Sequence, residues 1–246
     1  MTPEGLRSEH DAEAFKEKRT KYFQQFTLRH LPEMREQRRY GLLLEEGSEG
    51  WRNVVRHEVL SAVMTETLSE LLGRTQEETE RITHFSLIHD VDKRRQQDSK
   101  SKNEIWLDEL GKTEQPLVGT GSNFTDFENW SDETRLLRFV DSSIGEESGA
   151  HWYGPRDPKN LPPVIIIPWR DRINGFKENK REEGEKGIEL YGMTTWDKLE
   201  EVMTTIEHDF YTRIIEAHPD LAEKYPQENQ LAALIEDQIH EKILNS

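Results

Sequence analysis

The chain of 246 residues contains no cysteine. Disulfides and thiolate metal sites are therefore excluded, and any transition metal must be held by His, Asp and Glu. Basic residues are outnumbered by acidic ones, 33 to 49, giving a formal net charge of −16. Such a balance opposes non-specific contact with duplex nucleic acid or anionic membranes, whose phosphates select basic surfaces. No apolar run approaches the roughly 18 residues needed to cross a bilayer. The opening residues, Met1-Thr2-Pro3-Glu4-Gly5, lack the basic-then-apolar pattern of a secretory signal. These absences set the expectation of a cytoplasmic protein with neither membrane nor duplex nucleic acid among its partners. They leave oligomeric state open.

What is present is 33% hydrophobic and 33% charged, a mixture suited to amphipathic helices with solvated outer faces. The expected fold is all-α, a compact multi-helix bundle with long irregular connections, built as a single domain over 1–246. Residues 8–39, almost free of Gly and Pro, predict one or two helices interrupted near Pro32. His30 within them reads as an ordinary packed or surface histidine. A glycine-bearing loop at 45–50 precedes a helix over 51–72, where Ser61, Met64, Leu68 and Leu72 continue the face of His57. Gly73 is a stop, and Thr75 with Glu78 forms a capping-box start for a helix over 76–94. Residues 96–131 read as a long connection with one short helix near Trp106, and a second irregular stretch covers 145–168. Ser131 signals the start of the next helix. Val164-Ile165-Ile166-Ile167 reads as a short strand or a buried extended segment, and Trp169 opens another helix. A long amphipathic helix over 195–217, a turn at Pro219 and a last helix over 228–244 complete the chain. His208, His218 and His240 share no ligand spacing.

The organising stretch is 82–93, an apolar helical run ending in the adjacent pair His89-Asp90. Neighbouring helical positions diverge by about 100°, so the two side chains converge only on something lying between them, and a metal ion suits that geometry. Taken alone, the pair reads as a helix-capping histidine and a solvated carboxylate; the rest of the chain reverses that. A histidine, His57, lies 32 residues upstream of His89, and Asp141 follows an apolar run 51 residues beyond Asp90. Together His57, His89-Asp90 and Asp141 resemble the H…HD…D signature of the HD-domain metal-dependent phosphohydrolases. His89-Asp90-Val91-Asp92-Lys93 is similar to that family's HD-I-G-K box, and Arg56-His57 to its first-histidine helix. The resemblance covers about 50–190, with 1–49 and 191–246 as helices packing on that core. Asp171 rivals Asp141 as the last ligand, although Phe139-Val140-Asp141-Ser142 looks more like the family's final motif.

The resemblance implies one divalent metal ion held by His57, His89, Asp90 and Asp141. Manganese, iron, cobalt, nickel, magnesium and zinc all suit such a set. No histidine occurs between Val91 and Val140, which argues against a second metal. Asp90 and Lys93 are the implied catalytic residues, and Lys93, Arg94 and Arg95 would face the phosphate of a small ester, with a nucleotide as the expected substrate. Glu58 and Asp92 are candidates for a general base by proximity, and His84 is expected in the core or behind the ligands. Loops around Trp106 and Trp152-Tyr153 offer aromatic rings for a base. The alternative is a nucleotide-binding or regulatory scaffold with little or no catalysis.

Overall fold

The computed structural model describes residues 9–30, 54–89, 124–144 and 166–246. Those residues are helical apart from turns and one isolated antiparallel bridge, Ile144 to Ile166. The all-α expectation therefore holds. Of the segment read as a short strand or a buried extended stretch, Val164 and Ile165 lie outside the described residues, and Ile166 is buried in that bridge.

The centre is a helical hairpin. Helix α2 (Val54–Leu71) is buried nearly all round, at 60–65 and again at 67–69, as a helix enclosed by neighbours must be. It ends where Gly73, at φ +69°, adopts the left-handed conformation that an L side chain resists. Arg74 N–H donates to Ser69 O at 3.1 Å and Gly73 N–H to Glu70 O at 2.9 Å, the paired bonds of a Schellman motif. Helix α3 (Gln76–Ile88) then returns, started by a reciprocal capping box between Thr75 and Glu78. A buried hydrogen bond of 3.0 Å between the Thr65 and Ser86 hydroxyls fixes how the two helices lie against each other.

Helix α4 (Asp132–Ser143) packs on both arms. Ser131 caps its N-terminus, and Asp132 in the first turn pairs with Arg74 and, at 2.8 Å, with Arg213. Glu133 pairs with Arg81 of α3 at 2.6 Å. These bonds make α4 run alongside α3 in the same direction. A 3-10 turn, Phe124–Asn129, precedes it, where the sequence reading expected irregular chain. Helix α5 (Trp169–Asn179) follows, and two short helices, α6 (Arg181–Glu185) and α7 (Ile188–Tyr191), lead into the long helix α8 (Thr195–Ala217). Leu199, Val202, Met203, Ile206, Phe210 and Ile214 form the buried stripe of α8 at three- and four-residue steps. After α9 (Leu221–Lys224), helix α10 (Leu231–Leu244) buries Leu234, Ile235, Ile239 and Ile243 against α2 and α1 (Glu9–Arg29).

The scattered histidines take structural places. His208 pairs with Glu228 at 2.7 Å on the surface, and His218 bonds to Leu71 O. His240 is buried edge-on to Phe15, and His30 packs on Phe26.

Candidate metal centre

His57 and His89 each lie 16 residues from Gly73, on opposite sides of it. At 1.5 Å of rise per residue, two antiparallel arms of equal length bring these positions side by side at the open end of the hairpin. Their rings stand 5.3 Å apart. Helix α4, parallel to α3, delivers Asp141 to the same end. Asp141 Oδ1 lies 3.2 Å from His57 Nε2 and 3.7 Å from His89 Nε2. One donor atom from each of the three residues falls within 4.8 Å of the others. Donors bound to one ion at about 2.1 Å sit roughly 3–4 Å apart, so a small contraction brings the trio to ligand spacing. The side chains keep 12%, 15% and 29% of their surface exposed, enough for an ion and a ligand to enter.

The hydrogen bonding at His89 supports this use. Its Nδ1 lies 2.7 Å from Ser86 O. A carbonyl only accepts, so Nδ1 carries the hydrogen, and neutral His89 turns the lone pair of Nε2 toward Asp141. A lone pair facing a carboxylate is repulsive until a cation, either a proton or a metal, lies between them. Fixing one ring nitrogen through a backbone carbonyl is how metal-binding imidazoles are commonly oriented. Burial pushes the Asp141 carboxyl upward, but donation from the His57 and His89 rings when each carries a proton on the nitrogen facing it, together with the Arg172 guanidinium, outweighs it and holds the group well below the ordinary carboxylate range. Asp141 is therefore anionic at neutral pH. The residues present fit a divalent cation. Among the described residues three side chains supply donors.

Two arginines frame the carboxylate. Arg138 Nη1 donates to Asp141 Oδ2 at 3.3 Å, leaving Oδ1 to the histidines. Arg172 Nη1 donates to Asp141 O and, at 3.4 Å, to Ile144 O. The first of these carbonyls lies in the last turn of α4 and the second at its C-cap, where the chain turns extended. Sequence reasoning gave neither arginine a role. The available signal was Arg138 one turn before Asp141 on the same edge of the helix.

Of the expected site residues, the structure brings His57, His89 and Asp141 together. Asp90, Asp92, Lys93, Arg94 and Arg95, with Trp106, Trp152 and Tyr153, lie outside the described residues. Asp171, the rival ligand, is exposed in the first turn of α5 and stands outside the donor group. His84 is half-buried, its ring edge-on to Phe85. Glu58 is fully buried, one position round the helix from His57. Compared with protein-family models, curated proteins and solved structures, the chain matches none. No helix among the described residues is long and apolar enough to cross a membrane.

Proposed function

We propose that this protein is a metal-dependent phosphohydrolase of the HD type acting on a small phosphate ester, a nucleotide. The observation that carries the reading is the convergence of His57, His89 and Asp141 from three different helices onto one accessible point. Packing alone gives no reason to gather two imidazoles and a carboxylate there.

A divalent ion at that point would polarise a phosphoryl oxygen and lower the pKa of a bound water. The chain's own residues supply the setting. Ser86 O orients His89, the depressed pKa of Asp141 keeps a negative charge at the centre, and the two flanking arginines provide positive charge for an incoming phosphate. Asp90 is proposed as the further ligand, with Lys93, Arg94 and Arg95 as additional phosphate contacts, on the strength of their place directly after His89.

Metal analysis of the purified protein should find about one equivalent per chain, lost in His89→Ala. A panel of mono-, di- and triphosphates, cyclic nucleotides and single-stranded oligonucleotides with manganese should then show phosphate release from free nucleotides. Release of nucleotides from oligonucleotides alone would make the protein a nuclease. A protein that neither holds metal nor hydrolyses any of these refutes the proposal.

A further inference from the structure

Asp141 also borders a cavity of about 260 Å³ between α4, α5 and the first turn of α8. Arg138 and Arg172 lie at the Asp141 end, and Phe124, Phe176 and Trp196 form much of the wall. Aromatic walls with a few polar groups gathered at one end are the usual make-up of a small-molecule pocket. Two arginines against one aspartate leave this end with one net positive charge, in a chain whose formal net charge is −16. Arg138 stands over the Phe124 ring at 5.6 Å and Arg172 over Phe176 at 5.5 Å, so rings and cations hold one another in place.

Trp196 is positioned from several sides. Its indole N–H donates to Lys180 O at 2.9 Å, and its ring packs on Phe176 with centroids 5.0 Å apart. Helix α6 meets the ring at Gly184, where a Cβ would fall 2.4 Å from the indole Cδ1. Glycine is needed here because the indole occupies the space of a side chain. A tryptophan held this firmly, yet only partly buried and lining a cavity, has the form of a stacking platform.

We propose that this cavity binds the ring-bearing half of a compact phosphate monoester, of the nucleoside monophosphate class, with Trp196 and Phe176 against the ring and Arg138 and Arg172 toward the phosphate. The inference rests on the phosphohydrolase reading only in placing the phosphate next to the candidate metal centre. The volume, just below the roughly 300–1,000 Å³ common for ligand pockets, suits one such unit and leaves no room for a dinucleotide.

Calorimetric titration in EDTA, and again with manganese, separates binding from turnover. The probes are AMP, GMP, CMP and UMP, compared with ribose 5-phosphate, inorganic phosphate and ATP. At least one monophosphate should bind about tenfold more tightly than ribose 5-phosphate, and Trp196→Ala should remove that advantage, as loss of a base-stacking ring does elsewhere. Trp196→Phe should retain most of it. Gly184→Ala, which displaces the indole without deleting it, should weaken binding while the circular dichroism spectrum stays that of the wild type. Equal binding of ribose 5-phosphate and every monophosphate, no binding at all, or indifference of binding to both Trp196→Ala and Gly184→Ala would overturn the proposal. Ring-dependent binding without hydrolysis would keep the pocket and refute the enzyme. Hydrolysis with an unchanged KM in Trp196→Ala would do the reverse.

Discussion

Adding manganese to the metal-free protein should raise its melting temperature, and Asp141→Asn should abolish the rise. A cation that binds the folded chain alone, supplied at 100 times its Kd, stabilises it by about 2.7 kcal/mol. For a chain of this size each kcal/mol moves Tm by roughly 2–4 °C, so the expected shift is about 5–11 °C. Asparagine keeps the shape of the side chain but removes the charge facing His57 and His89. The metal-free variant should itself melt lower, since it loses the carboxylate that accepts from Arg138. The decisive quantity is therefore the metal-induced difference within each protein, read by differential scanning calorimetry with an EDTA reversal. Asp171→Asn is the control, because Asp171 is exposed and outside the donor group, and it should show the full shift. A full shift in Asp141→Asn, its loss in Asp171→Asn, or no response of the wild type to any of the six candidate cations would refute the assignment of donors.

Gly73→Ala should cost about 1–2 kcal/mol in urea unfolding, the penalty for placing an L side chain in the left-handed region; no neighbouring atom lies within 4 Å of the added methyl, so the backbone alone sets the cost. Asp132→Asn should lower the urea midpoint at pH 7, and the gap from wild type should close in acid. Burial pushes the Asp132 carboxyl up, but the Arg213 hydrogen bond and the charges of Arg213 and Arg74 hold it below its ordinary value. Its stabilisation is then fully present above the unfolded pKa of about 3.9 and disappears as pH falls through the lower folded value. A gap that stays constant from pH 7 to pH 2 would contradict the ion-pair account.

Features set by short-range chemistry were readable in the sequence. The Thr75 and Ser131 caps, the Gly73 stop and the start and end of α8 all depend on residues within one turn of each other. His57, His89 and Asp141 were readable through their order and spacing, which resemble a known pattern. The cavity was not. Phe124, Arg138, Arg172 and Trp196 come from four separate elements, and no local period links them. The aromatic rings expected around Trp106 and Trp152 lie outside the described residues, and Trp196 sits in a helix whose pattern is simply amphipathic. The Phe124–Asn129 turn and helices α6 and α7 also escaped notice. They are short, and their place is set by packing, as with the rings of Phe124, Phe127 and Trp130 and the contact of Gly184 with Trp196.

The equal arms of the hairpin constrain how this chain can change length. Deleting one residue between His57 and Gly73 draws His57 back by about 1.5 Å and turns it about 100° round α2, while His89 stays in place. A matching deletion in α3 would restore the height of the pair but not its facing direction, since both helices would have turned. A length change confined to the connection at Gly73 leaves both arms intact. Insertions and deletions in functional relatives should therefore gather at that connection and be missing from 57–71 and 76–89.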